Sequence, residues 1–244
     1  MLFDYKKLVR LQKYLNIVVF FWFFSPILFA ANGIDKYTLP DILNNNTPLY
    51  SKNFTIIQKP IKFDKERIAL TQQYRLEHYG IKDKSITIQP RIIVLHWTCA
   101  LNLQGVYNTF YSAALSGDRT DIQKGGKLNV SAHFLVDRDG AIYQLMPTNL
   151  MARHTIGLND SAIGIENMGG VDNHEDLTMA QVNANVCLIH YLKKQYPGIK
   201  YLIGHYEYGD FRDTKLWLER NNNYFTAKTD PGKKFMFLVR KSLK

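Results

Sequence analysis

The stretch "SITIQPRIIVLHWT", residues 85–98, decides how the rest of the chain is read. Ile92-Ile93-Val94-Leu95 is a short, mostly β-branched apolar run with no polar alternation, the pattern of a strand buried on both faces. It closes on His96, where the chain would leave the sheet. Further on, "IKYLIGH" (199–205) is another apolar run that ends in a histidine, His205. Two buried strands thus each deliver an imidazole at the carboxyl end, the edge at which open α/β sheets place ligands.

Working outward, "VSAHFLVDRDGAIYQLMP" (130–147) reads as two strands joined through Asp139-Gly140, a hairpin signal. "AIGIEN" (162–167) is a short strand leading to Glu166. "LTMAQVNANVCLIHYLKKQY" (177–196) opens with Thr178 and Gln181, a capping box, and carries Val182, Val186, Ile189 and Leu192 on one helical face. That helix stops before Pro197-Gly198. Another helix is expected over "KERIALTQQYRLEHYGI" (65–81), facing the core through Ile68, Leu70, Tyr74 and Leu76 and ending at Gly80. The fold class expected is α/β, one domain with a central mixed β-sheet flanked by helices and a metal site at the strand ends.

The ends of the chain are read separately. Residues 1–30 place Lys6, Lys7, Arg10 and Lys13 ahead of an apolar run from Ile17 that exits through Ala30-Ala31, the pattern of a secretory signal. An uncleaved membrane anchor is the alternative, because the run has about the shortest length that spans a bilayer. Residues 31–63, rich in Asn, Pro and Thr, read as an extended leader, and 64–244 as the folded domain. Without the first thirty residues the chain keeps 27 Lys+Arg against 20 Asp+Glu, so an exported protein of this charge is drawn to anionic polymers or lipid surfaces. Nucleic acid is not expected as a partner: no basic run interleaves with aromatics and no zinc-finger spacing occurs. A monomer is expected. Cys99 and Cys187 could pair in an oxidising compartment or stand as two separate thiols.

Two imidazoles and a carboxylate would suit zinc, which in hydrolytic sites takes three protein ligands and leaves one position open. Spacing alone does not settle it, since no His-x-x-x-His lies on a helix and a single histidine after a strand is commonly a packing residue. The order of motifs adds to this. "IIVLHWT", "VSAHFLVDRDGAIYQLMP", "ARHTIGLNDSAIGIEN", "IGHYE" and "KTDPG" together resemble the zinc-dependent N-acetylmuramoyl-L-alanine amidases of the type-2 amidase family, which includes the peptidoglycan recognition proteins. The similarity is closest to the bacterial branch with Lys-x-Asp-Pro-Gly and covers about residues 64–244.

The resemblance implies that His96, His205 and Asp230 hold Zn2+, and that Glu166 and Lys228 are the catalytic pair. It places His154, with Arg153 and Asn159, near the substrate, peptidoglycan or its muropeptide fragments. The location implied is the periplasm or cell envelope, or the medium after secretion. Some members carry a catalytic tyrosine just before the His-Phe of the hairpin; here that residue is Ala132, which leaves acid/base work to Glu166. His78, His133, His174 and His190 read as structural or exposed. Trp217 and Tyr224, in the long stretch between His205 and Asp230, either wall the groove as stacking platforms or pack on the core. Two rival readings are a recognition protein that keeps the fold without hydrolysis and a zinc peptidase acting on the stem peptide.

Overall fold

The computed structural model describes residues 33–40, 55–117 and 123–244. The proposed signal at 1–30 and much of the leader lie outside the described residues. In chain order the elements are β1 (Ile56–Gln58), α1 (Lys65–Tyr74), β2 (Ile92–Trp97), α2 (Leu103–Tyr111), β3 (Phe134–Val136), β4 (Ile142–Gln144), β5 (Ala162–Asn167), α3 (Met179–Gln195), β6 (Tyr201–Gly204) and α4 (Lys233–Ser242). The strands form one mixed sheet in the order β1-β4-β3-β5-β2-β6, in which only β3 and β4 run antiparallel.

β2 lies in the middle of its parallel neighbours, β5 and β6, and is buried along its whole length. Parallel strands need both faces covered, which is why the run of Ile, Val and Leu is continuous. Ile93 and Leu95 pack on one side against Val182, Val186, Ile189 and Leu192 of α3 and Phe235, Met236 and Val239 of α4. Ile92 and Val94 face the other side, against Leu158, Tyr208 and Phe211. The Thr178–Gln181 capping box forms as expected, with Thr178 Oγ1 accepting from the Gln181 amide at 3.1 Å and Gln181 Oε1 from the Thr178 amide at 2.9 Å. The β3–β4 turn closes through Gly140, whose φ of 89° suits glycine and whose N–H donates to Asp137 O at 2.9 Å.

Three features depart from the sequence reading. Ile56–Gln58, taken as part of the leader, pairs in parallel with β4 as the sheet's edge strand. Helix α1 starts on an Asp64 cap and continues through a π-helical turn, Arg75–Tyr79, to Gly80, but its buried face is Arg67, Thr71 and Tyr74, while Leu76 is exposed. The reason is Arg67: its buried guanidinium donates from Nη2 to the carbonyls of Phe110, Tyr111 and Ser112 at 2.9, 3.1 and 2.7 Å. It thereby satisfies the end of α2, whose last carbonyls have no partner within the helix. Helix α2 is not marked in the sequence reading, although Asn102 caps its start by accepting from the Gly105 amide at 3.2 Å.

His133 is structural. Its Nδ1 accepts from the Gly164 amide at 3.0 Å and its Nε2 donates to Leu150 O at 2.9 Å, so the neutral ring is fully used. Burial pulls its pKa down from 6.5 to about 4. The unfolded chain therefore binds this proton more readily, and stability that is full above pH 6.5 is lost as pH falls towards 4. The loss from this group by pH 4 is expected to be about 3 kcal/mol. Urea melts of metal-free protein should show a fall across this window that is smaller by about that amount in His133→Gln; parallel curves for the two proteins would refute it.

Candidate active site

Register assembles the site. His96 is paired with Glu166 across β2 and β5, and Leu95 with Gly204 across β2 and β6, so His205, the next residue, comes to stand beside His96. Alternation puts His96 on the face of Ile92 and Val94, away from α3 and α4. Asp230 arrives on the loop before α4, where its carbonyl accepts from the Tyr206 amide at 3.0 Å and Gly232, with φ of 89°, turns the chain into the helix.

His96 Nδ1, His205 Nδ1 and Asp230 Oδ2 form a triangle with sides of 3.1, 3.2 and 3.0 Å, and all three residues are buried. A tetrahedral zinc ion with bonds of about 2.0–2.1 Å separates neighbouring ligand atoms by about 3.3 Å, so the triangle matches one face of such a shell to within a few tenths of an ångström. The donor set fits as chemistry too. A ring proton on one of these nitrogens can serve only part of the triangle, whereas a cation between the three atoms is met by a lone pair from each. Burial, then the neighbouring His205, pulls the His96 pKa down to about 4, which keeps the ring neutral. Burial opposes ionisation of Asp230, but His205 and His96 outweigh it and hold the carboxyl below the usual range.

A cavity of about 370 Å³ opens over this triangle, lined among others by His96, His154, Glu166, His205, Tyr224 and Lys228. Glu166 Oε2 is buried without a hydrogen-bond partner. Burial, and next the charge of Asp230, push the Glu166 pKa well above the carboxylate range, against the pull of Lys228. The cavity thus holds a paired donor set, a carboxyl ready to carry a proton and an ammonium on one wall.

Comparison with known proteins gives this arrangement its context. The sequence profile described as N-acetylmuramoyl-L-alanine amidase matches residues 86–233, well over half of the chain. The chain belongs to that amidase family. It is a peptidoglycan amidase, hydrolysing the bond between N-acetylmuramic acid and L-alanine. An endolysin of Klebsiella phage KP32 is 33% identical over 104 residues, which are 39% of this chain and 68% of that protein. Among solved structures, the amidase LysC from Clostridium intestinale URNW shares 23% identity over 77% of this chain and 95% of its own, with a TM-score of 0.45. AmpD shares 22% over 77% and 93%, with a TM-score of 0.49.

Of the remaining residues singled out in the sequence, Arg153, Asn159 and Tyr224 line the amidase cavity and the others lie elsewhere. Arg153 is buried; it donates to Tyr224 Oη at 3.0 Å and to the Gly126 and Leu128 carbonyls, and its guanidinium lies over the Tyr74 ring. Asn159 is buried as well: its Oδ1 accepts from the amides of His154 and Thr155 at 2.8 and 2.7 Å, and its Nδ2 donates to Tyr79 Oη at 3.0 Å. Trp217 stacks on Tyr208 in the core, whereas Tyr224 lines the cavity. Ala132 is buried beside α2. Cys99 and Cys187 are not joined in a disulfide, and Cys99 is exposed. His78 pairs with Glu219 at 2.9 Å, His190 is buried and His174 is exposed.

Two supports of the site escape the sequence reading. Asn167 Nδ2 donates to the His96 carbonyl at 3.0 Å, and Asn185 Nδ2 of α3 holds Asn167 Oδ1 at 2.7 Å. Gly164 sits in mid-strand because a Cβ there would lie 2.6 Å from the His154 ring. A glycine inside an apolar strand was the available signal for such a close approach. Gly164→Ala forces the rigid ring aside and is expected to cost about 1–3 kcal/mol, read as a lower urea midpoint. An unchanged midpoint would mean that the ring has room to move.

Proposed function

We propose that the amidase works with a zinc ion held by His96, His205 and Asp230, with Glu166 moving the proton and Lys228 facing the charge that develops on the substrate. The triangle of ligand atoms, closed to within 3.2 Å on every side, carries this reading. Zinc, when bound, supplies a Lewis acid that makes water nucleophilic near pH 7 and polarises the scissile carbonyl.

The protein's own groups do the rest. Water adds its oxygen to the lactyl carbonyl carbon, the carbon–nitrogen bond breaks, and the water's proton passes through Glu166 to the amine of L-alanine. A carboxyl with a raised pKa suits both halves of that transfer. Lys228, half-buried on the cavity wall, offers its ammonium to the negative charge growing on the carbonyl oxygen. The basic chain and its N-terminal segment support an exported enzyme that meets peptidoglycan in the cell envelope. Among the described residues no helix is long and apolar enough to cross a membrane.

Digestion of purified peptidoglycan with residues 31–244, followed by mass spectrometry, tests this directly. Stem peptides with a free L-alanine amine should appear with zinc and vanish with chelator. Glu166→Gln should lower the rate by at least about 10²-fold, and Lys228→Met by about 10²–10³-fold. Binding without release, by protein shown to contain zinc, would favour the recognition-protein reading, and cleavage inside the stem would favour the peptidase.

A further inference from the structure

His154 lines the cavity, where the sequence resemblance places a substrate contact, yet its ring nitrogens point to other work. Nε2 lies 3.3 Å from the Ala162 carbonyl oxygen, which can only accept, so this nitrogen carries the ring proton. A neutral imidazole has one donor and one acceptor, and Nδ1 is therefore the acceptor. Facing Nδ1 are His96 Nε2 at 3.1 Å and Thr155 Oγ1 at 2.8 Å, with the latter two 3.5 Å from each other. A proton on His96 Nδ1, turned to Asp230 Oδ2 at 3.2 Å, would set the bare Nε2 against the bare His154 Nδ1 at 3.1 Å. The arrangements that avoid this clash of lone pairs have His96 Nε2–H donating straight to His154 Nδ1, or to the Thr155 hydroxyl while that hydroxyl donates to Nδ1. Both arrangements leave the proton of His96 on Nε2 and a bare lone pair on Nδ1, the atom that faces His205 and Asp230.

The surroundings hold His154 in place for this. Asn159 Oδ1 takes the amides of His154 and Thr155, which fixes the loop. Gly164 leaves space for the ring, and the His133 ring stands edge-on behind it with centroids 5.8 Å apart. Resting on the zinc reading above, we propose that His154 is a positioning residue: it fixes His96 as the Nε2–H tautomer and so presents His96 Nδ1 as a metal ligand. A partner that orients a ligating histidine typically changes metal affinity by about 10–100-fold. A substrate contact would instead raise KM and leave zinc affinity alone.

Two variants and two readouts test the proposal. His154→Phe keeps a ring but removes the acceptor, and His154→Asn keeps an acceptor oxygen close to the position of Nδ1. Ring-nitrogen NMR of metal-free protein should show His96 as Nε2–H in the wild type and as Nδ1–H or a mixture in His154→Phe. Competition with a chromophoric chelator should show zinc binding weakened about 10–100-fold in His154→Phe and at least partly restored in His154→Asn. Wild-type His96 found as Nδ1–H overturns the proposal without any variant. So does a His154→Phe protein that keeps both the tautomer and the zinc affinity. A wild type that binds no zinc defeats the functional reading instead, and the NMR result then still decides the tautomer.

Discussion

The parallel register of β2 between β5 and β6 is the constraint from which the active site follows. Ile92, Ile93, Val94 and Leu95 are all fully buried, two towards α3 and α4 and two towards the opposite layer. A slip of one residue would exchange the two sets and carry His96 to the helix-covered face, away from Glu166 and His205. The same packing that stabilises the sheet therefore fixes which side chains meet at its carboxyl edge. Core and chemistry share one determinant.

Placing two imidazoles and two carboxylates in one buried spot works against stability, because each polar group gives up water. The fold offsets this with hydrogen bonds running inward from the site. Asn185 holds Asn167, Asn167 holds the His96 carbonyl, and His133 holds the Gly164 amide one strand away. Within the cavity Glu166 Oε2 is left without a partner, as is Asn185 Oδ1 of α3. A carboxyl left short of hydrogen bonds binds a proton more tightly, which is the property a proton carrier needs at neutral pH.

Much of this was legible in the sequence where the signal is local. The buried strands, the Asp139-Gly140 hairpin and the Thr178 capping box each follow from a few consecutive residues. His96, His205 and Asp230, which the motifs single out, lie together at the ends of β2 and β6 and on the loop before α4. What stayed hidden depends on partners far along the chain. Three residues of β1 gain strand identity only by pairing with β4, and α1 turns a polar face inward because Arg67 serves the carbonyls at the end of α2. The meeting of His154 Nδ1 with His96 Nε2 is likewise invisible to any local sequence pattern.

The division of labour between strand and loop also has a physical sense. The residues proposed as metal ligands would have to hold their distances to a few tenths of an ångström, and two of the three are set by strands: His96 lies in β2 and His205 directly follows β6. Lys228, proposed to face a charge that exists only as the bond breaks, sits on a loop instead. Its backbone is pinned on both sides: the Asp230 carbonyl accepts from Tyr206, and Thr226 is held through both its N–H and its C=O by the Tyr208 hydroxyl, at 3.0 and 2.6 Å. Tyr206 and Tyr208 flank the same strand end that carries His205, so the loop is tied to the metal side of the site. The long side chain of Lys228 is thus a tethered charge on a hydrogen-bonded base.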